Sequence, residues 1–255
     1  MSMAQHFPYQ AEERSLGYKA TLGMIVLQSD LTLEQDMRKV IPCDGVALYV
    51  SRIPNAPEVT GGTLRAMEED LPFATNLLPH DLVFDALGYG CTSASALIGS
   101  ERIAELIRTQ RTAKSVVTPI SALINACHSL NLKKLALVTP YIAEVTQGLK
   151  SSIRRYGIEI GSEACFDEIL DQRVAQLSGI ALSEATLTVG RDESCDAVFL
   201  SCTNLRTMEI IEDLEQKLKR PVISSNSALI WALLRHAGIN DSFFHAEDGI
   251  RDSSV

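Results

Sequence analysis

Two cysteines of this chain follow apolar segments that resemble each other. Residues 85–93 (DALGYGCTS) align without a gap with residues 196–204 (DAVFLSCTN), and the pair Cys-Thr occupies the same place in both. In each segment the pattern predicts a strand that runs into the cysteine, Cys91 or Cys202, and then a helix. Backbone N–H groups and the positive end of a helix dipole favour the thiolate form at such a turn. We therefore expect two reactive thiols in equivalent positions.

The residues that follow each cysteine could bind an oxyanion. Thr92, Ser93, Thr203 and Asn204 add hydroxyl, amide and backbone donors at the same two turns, and a carboxylate or enolate oxygen requires such donors. Two thiols on opposite faces of one carbon could remove a proton from one side and return a proton on the other, which is racemisation. One thiolate could instead add to an activated double bond while the opposite thiol supplies a proton, which allows cis-trans isomerisation.

Alternating strands and helices must position these turns. Short β-rich runs predict strands at residues 23–27, 46–50, 82–88, 115–117, 135–138, 196–201 and 222–224. Helical patterns predict helices at residues 94–108, 120–129, 142–156, 171–184 and 204–218. This alternation is typical of an α/β fold built from parallel βαβ units.

The internal similarity continues beyond the cysteines. Ser-Ala-Leu opens a predicted helix at residues 121–123 and again at residues 227–229, and the strands at 24–27 and 136–139 are also alike. A repeat in the same order along both halves predicts two half-chains of one plan. If an approximate two-fold axis relates them, Cys91 and Cys202 face each other across a cleft, where open α/β sheets bind their ligands.

Composition argues against several classes of partner. A formal net charge of -9 and a pI near 5.1 argue against nucleic acid or an anionic membrane surface, because no cluster of Lys and Arg supplies attraction to phosphate. The first twenty residues lack the pattern of a signal peptide. No apolar stretch approaches the ~20 residues that a membrane helix requires. We therefore expect a cytoplasmic protein.

The six cysteines show no CxxC spacing and are expected to be reduced. Cys127 and Cys165, in apolar or mixed helical surroundings, are interpreted as ordinary small buried residues. Cys43 and Cys195 receive the same interpretation. Cys91 and Cys202 are therefore the cysteines that we expect to carry chemistry.

Five segments make the chain similar to a known family. The sequence resembles the maleate isomerase and arylmalonate decarboxylase branch of the aspartate/glutamate racemase superfamily, and most closely the racemase-like proteins encoded with ectoine utilisation. The segments are residues 23–30 (GMIVLQSD), 88–93 (GYGCTS), 137–142 (LVTPYI), 199–204 (FLSCTN) and 221–225 (PVISS).

The resemblance implies a fold and a site. It implies two pseudo-symmetric Rossmann-like lobes with parallel sheets, an active site in the cleft between them, and no cofactor. We expect an N-terminal extension at residues 1–20, a first lobe at 21–118 plus 224–240, a second lobe at 119–223 and a polar tail at 241–255. By residue matching, Cys91 and Cys202 are the catalytic pair. The residues matched to substrate carboxylate binding or enediolate stabilisation are Thr92, Ser93, Tyr141 and Thr203.

The chain departs from the family pattern at two places. Arylmalonate decarboxylases carry glycine where this chain has Cys91, which disfavours decarboxylation by a single cysteine. Maleate isomerases typically have asparagine after the first strand, whereas this chain has Gln28, Ser29 and Asp30, which puts maleate itself in doubt. Asp30 has two interpretations: it pairs with a substrate ammonium or orients Cys91, as in amino-acid racemases, or it caps the helix that begins near Leu31.

Three functions follow as hypotheses. The leading one is a two-cysteine isomerase, either a racemase or epimerase of an amino-acid derivative or a cis-trans isomerase of a small dicarboxylate. The second is an arylmalonate-type decarboxylase that uses Cys202 alone, and the third is a non-catalytic carboxylate-binding regulatory protein. The expected partner is a small carboxylate substrate, and superfamily relatives imply a homodimer or higher oligomer.

The sequence predicts activity without a metal or an organic cofactor. His80, His128 and His236 are dispersed without the spacing of metal ligands, and no GxGxxG or GxxxxGK[ST] motif is present. We expect turnover to survive exhaustive dialysis against a chelator and to gain nothing from pyridoxal phosphate. A loss of turnover that one metal restores would contradict this prediction.

Overall fold

The computed structural model describes residues 7–8, 15–42 and 44–240. The predicted tail at 241–255, Cys43 and most of the predicted extension at 1–20 lie outside the described residues. Within the described part, no helix is long and apolar enough to cross a membrane.

Two four-stranded parallel sheets form the framework. The first contains, in the order β2-β1-β3-β4, the strands β1 (Ala20–Leu27), β2 (Val46–Ile53), β3 (Phe84–Gly90) and β4 (Ala113–Val117). The second contains, in the order β6-β5-β7-β8, the strands β5 (Lys134–Thr139), β6 (Glu159–Cys165), β7 (Ala197–Leu200) and β8 (Val222–Ser224). The same strand order recurs in both sheets, which confirms the α/β fold and the two lobes of one plan.

Helices link the strands and cover the sheets. They are α1 (Leu33–Val40), α2 (Gly61–Asn76), α3 (Thr92–Ile98), α4 (Ser100–Arg108), α5 (Pro119–Ser129), α6 (Ala143–Arg154), α7 (Asp171–Val174), α8 (Gly179–Val189), α9 (Ile211–Leu218) and α10 (Ser225–His236). Because helices shield the parallel strands, β1, β3, β5 and β7 are almost entirely buried and apolar.

The internal repeat continues after the last strand of each sheet, in the equivalent helices α5 and α10. Thr118 before α5 and Ser224 before α10 each cap their helix through a reciprocal pair of hydrogen bonds with a serine three residues on. The chain leaves the second sheet at β8, yet α10 packs against α5 and against β3 of the first sheet. The predicted membership of 224–240 in the first lobe and the other lobe boundaries stay predictions.

Three predicted helices differ from the structure. The segment 94–108 forms two helices, because Gly99 adopts a φ of 97° that interrupts the helical backbone. The prediction of one helix at 171–184 is wrong, since α7 ends at Val174 and the Ser178 hydroxyl then caps α8 by accepting the backbone N–H of Ala181 at 3.1 Å. The helix predicted from residue 204 begins only at Ile211.

The edge strand β6 is absent from the sequence prediction. Its segment EIGSEAC contains few β-branched or aromatic residues and has mixed burial, so its pattern does not favour a strand. Cys165 ends β6 and is exposed, so its interpretation as a buried residue in helical surroundings is wrong. Cys127 and Cys195 are buried as expected.

Gly90 ends β3 directly before Cys91, where a side chain has no room. A Cβ atom at this position would clash with the buried Leu33 side chain and lie 3.3 Å from the Ile25 carbonyl oxygen. We expect Gly90→Ala to lower the free energy of unfolding by about 1–3 kcal/mol through overpacking, as measured by urea denaturation. Gly148→Ala is the matched control, because nothing lies within 4 Å of its added Cβ in α6. An equal effect of both substitutions would contradict the prediction.

Candidate active site

A narrow cavity lies where strands of both sheets end. Its volume is about 20 Å³, which is room for about one water molecule. It brings together six of the eight site residues that the sequence predicts, namely Cys91, Thr92, Ser93, Tyr141, Cys202 and Thr203. These residues follow the carboxyl ends of β3, β5 and β7, which is where parallel α/β sheets bind ligands.

Cys91 is the N-cap residue of α3 and is 3% exposed. Burial raises the pKa of its thiol to about 12, against the lowering effect of the Ala94 backbone N–H and the Ser93 hydroxyl. The Ser93 oxygen lies 3.7 Å from the Cys91 sulfur. The helix start therefore supplies the expected donors, but removal of the thiol from water has the larger effect.

Cys202 lies in a turn rather than at a helix start. The chain after it stays non-helical until Ile211, so the prediction of a helix directly after Cys202 is wrong. Burial raises the pKa of this thiol well above its ordinary value and the Asp171 carboxylate raises it further, whereas the Tyr141 hydroxyl and the Asn204 backbone N–H lower it. The predicted preference for thiolate is thus reversed in the free site, because burial outweighs the local donors.

The hydroxyl of Tyr141 connects the two halves of the site. It interacts with the Cys202 thiol and with the Ser93 hydroxyl, and the side chain is 2% exposed. Burial raises the pKa of this phenol well above its usual range, so it remains a proton donor at neutral pH. A neutral phenol in this place can donate to a sulfur or to a substrate oxygen.

The hydroxyls of Thr92 and Thr203 form hydrogen bonds across the cleft. Thr92 Oγ1 donates to Ser225 Oγ at 2.8 Å, and the same Ser225 oxygen accepts the Cys202 backbone N–H at 3.1 Å. Thr203 Oγ1 donates to the Gly90 carbonyl at 3.2 Å. The two cysteine turns are therefore joined directly. Ser225 has no predicted role, although it ends one of the segments that carry the family resemblance.

Asp30 and Asn204 do not line the cavity. Asp30 Oδ1 accepts the backbone N–H groups of Thr32 and Leu33, both at 2.8 Å, at the start of α1, which is the helix-capping interpretation of this residue. Asn204 Oδ1 accepts the backbone N–H of Leu31 at 2.9 Å and so braces one lobe against the other. Contact of either side chain with a substrate stays a prediction.

Asp171 lines the cavity, and sequence reasoning missed it. Its carboxyl is 3% exposed and accepts hydrogen bonds from the Ser29 hydroxyl and, at 3.4 Å, from Asn204 Nδ2. Burial raises the pKa of this carboxyl. Asn55, also at the cavity, donates from Nδ2 to Ser29 Oγ at 2.8 Å. No repeat or motif indicates these residues, because they lie on separate loops of the two lobes and meet only in the folded protein.

Two equivalent loops close the cavity. The loop after β2 and the loop after β6 pair through a bridge between Glu58 and Leu170. The Val59 N–H donates to the Ile169 carbonyl at 2.8 Å, and the Asp171 N–H donates to the Pro57 carbonyl at 3.0 Å. These two loops therefore cover the cavity from both lobes.

The fold and the site together define the class of protein. It is a two-lobed α/β protein with a fold like that of the aspartate/glutamate racemases, and two cysteines lie in one cleft. A sequence model of the arylmalonate decarboxylase family matches residues 84–247. The arylmalonate decarboxylase of Bordetella bronchiseptica is 30% identical over 241 residues, covering 86% of this chain and 90% of that protein. The chain therefore belongs to the arylmalonate decarboxylase family.

Maleate isomerases are further relatives. The enzyme of Geobacillus stearothermophilus is 25% identical over 228 residues, covering 84% of this chain and 90% of that protein. The crystal structure of a cysteine-to-alanine variant of the maleate isomerase Iso from Pseudomonas putida S16, with maleate, gives a TM-score of 0.76 at 25% identity, covering 84% of this chain and 90% of that one. These relatives confirm the resemblance to this branch. A closer tie to ectoine utilisation gains no support from them and stays a prediction.

Both cavity thiols should alkylate slowly in the free protein, because burial keeps them protonated near neutral pH. Exposed Cys165 is the internal control. Iodoacetamide labelling read by peptide mass spectrometry should modify Cys165 about tenfold faster or more than Cys91 or Cys202. The rate at Cys91 should increase steadily with pH while the protein remains folded, because burial raises the pKa of its thiol to about 12. Labelling of either cavity thiol as fast as Cys165 would show that the free site holds a thiolate.

Proposed function

We propose that the protein is a cofactor-independent isomerase that uses Cys91 and Cys202 on opposite faces of a small carboxylate. One observation carries the proposal: both thiols line one cavity, each at the end of the equivalent strand of its sheet. Decarboxylation needs a proton donor on one face only. Inversion or cis-trans isomerisation uses acid–base or nucleophilic groups on two sides, which this arrangement supplies.

In racemisation, the thiolate of one cysteine removes the α-proton and the substrate becomes an enediolate. The opposite thiol then donates its proton to the other face, so the two cysteines exchange protonation states. Tyr141 and the hydroxyl of Ser93 are close enough to the thiols to stabilise the negative charge on the enediolate. Exchange of protons with solvent, or turnover of the opposite enantiomer, resets the pair.

In cis-trans isomerisation, one thiolate forms a C–S bond with a carbon of the double bond. The electron pair moves to the neighbouring carbon, stabilised by the carboxylate, and the opposite thiol protonates that carbon. The former double bond rotates as a single bond. The second cysteine then takes the proton back and the C–S bond breaks. The maleate isomerases among the relatives, one of them solved with maleate, support this route.

Decarboxylation is the second candidate. The family match and the relative at 30% identity favour it. In this route the substrate loses carbon dioxide and Cys202 protonates the resulting enediolate. Cys91, which stands where the resemblance places glycine in arylmalonate decarboxylases, has no role in that scheme, and its position in the cavity favours the isomerase.

The proposal includes three wider expectations. We propose a homodimer or higher oligomer, a cytoplasmic location and a place in ectoine utilisation. Light scattering that gives a monomer across working concentrations would remove the first without affecting the mechanism.

Substitution of each cavity cysteine tests the two-cysteine mechanism. Cys91→Ala and Cys202→Ala should each abolish net isomerisation, with losses beyond the ~10²–10⁴-fold typical of one general acid or base, because neither route retains a partner. In Cys91→Ser, Cys202 should still exchange the α-proton on its own face. The measurement is incubation in deuterated water with amino acids, maleate and arylmalonates, followed by NMR and chiral chromatography.

Cys165→Ala is the matched control for loss of a cysteine, since Cys165 is exposed at the end of β6. Near-normal turnover by Cys91→Ala together with an inactive Cys202→Ala and release of carbon dioxide would replace the isomerase with the decarboxylase. Saturable binding of these carboxylates without turnover would favour the regulatory protein.

A further inference from the structure

The cavity is acidic as well as small. Two carboxyl groups line it, that of exposed Glu58 at its rim and that of buried Asp171, whereas no Lys, Arg or His side chain of the described residues does so. A third carboxyl, that of Asp30, is buried directly behind the cavity and acts electrostatically on both thiols. A carboxylate that binds here would rely on neutral donors around the cysteines, and no cationic side chain of the described residues at the cavity would balance a second negative charge.

Asp171 is held by neutral donors alone. Its hydrogen bonds in the described structure come from the Ser29 hydroxyl and from Asn204 Nδ2, and the ion pairs among the described residues do not include it. Burial of a charge is costly unless an opposite charge accompanies it. The carboxylate is thus preorganised by two hydrogen bonds and lacks its electrostatic partner.

We propose that the substrate is a small carboxylate that also bears an ammonium group, and that Asp171 binds this ammonium inside the cavity. The inference rests on the proposed isomerase and specifies its substrate class. A dianion such as maleate would bring two negative charges next to Asp171 without gaining an ion pair. A zwitterion instead supplies the missing positive charge, while its carboxylate is left for the donors around the cysteines.

The same ammonium would activate the thiols. Asp171 raises the pKa of both Cys91 and Cys202 in the free site. A positive charge bound to this carboxylate offsets that repulsion and lowers the pKa of both thiols. The reactive thiolate would then form mainly when an ammonium-bearing substrate is present, and the free enzyme would keep its cysteines protonated.

The test compares wild type with Asp171→Asn, which removes the charge and keeps an amide oxygen for Ser29. The probes are L-alanine, L-glutamate and L-2,4-diaminobutyrate against maleate, with α-deuteration and isomerisation followed by NMR and binding by calorimetry. Wild type should prefer the ammonium-bearing probes. Asp171→Asn should lose about 100-fold or more in kcat/KM for them, as expected for a buried charge pair, and shift its preference toward maleate.

Two further variants separate charge from structure. Asp171→Glu retains the charge and should retain the preference for ammonium-bearing probes even if turnover falls. Glu184→Gln neutralises an exposed carboxyl on α8, away from the cavity, and should leave the preference unchanged. In addition, Asp171→Asn should alkylate faster at Cys91 and Cys202 in the absence of any probe, because the thiol pKa values fall. A purely structural role of Asp171 would not produce that change.

The outcomes distinguish this inference from the proposed function. Isomerisation of maleate by wild type at rates above those of every ammonium-bearing probe would overturn the inference and leave the isomerase standing. The inference would also be overturned, and the isomerase would stand, if the cysteine variants lost all turnover while Asp171→Asn had no effect on probe preference. Failure of every ammonium-bearing probe to bind wild type would also overturn the inference.

Discussion

One serine hydroxyl joins the two turns on which the site depends. Ser225 Oγ accepts the Thr92 hydroxyl at 2.8 Å and the Cys202 backbone N–H at 3.1 Å. Thr92 follows Cys91 at the end of the first sheet, whereas Cys202 follows the second sheet, so neither sheet alone fixes the separation of the thiols. Ser225 begins α10, which packs against β3. The geometry of the cysteine pair therefore depends on how α10 is seated between the lobes.

Burial of acidic groups is the main electrostatic feature of this cleft. Asp30 and Asp171 are at most 3% exposed, and burial raises the pKa of both carboxyls as well as of both cavity thiols. Asp30 Oδ1 accepts two backbone N–H groups at the start of α1, whereas Asp30 Oδ2 is buried without a hydrogen-bond partner among the described residues. Asp171 has only uncharged side-chain donors. Buried carboxyls whose pKa values are raised in this way are common at functional sites.

Local sequence patterns predict the framework, whereas contacts between distant segments determine the rest. The α/β alternation and the repeated Cys-Thr turns depend on neighbouring residues, so every strand except β6 and the positions of Cys91 and Cys202 follow from the sequence. Asp171 meets Ser29 across 142 residues of chain, and no periodicity indicates such a contact. The raised pKa of each cavity thiol does not follow from the local sequence either, because burial is a property of the assembled lobes and outweighs the effect of the helix start.

The repeat also shows where equivalence ends. Ser93 and Asn204 occupy the same position after the two cysteines, yet Ser93 stays beside the thiols while Asn204 braces the lobes through Leu31. Cys91 lies at the N-terminus of α3, whereas Cys202 precedes a turn and has the Tyr141 hydroxyl to lower its thiol pKa. A symmetric frame thus presents different donors to the two faces of one substrate. Chemistry on two faces of a substrate needs a pair of thiols, but the two thiols do not need the same surroundings. Here each thiol has different groups that stabilise its negative charge.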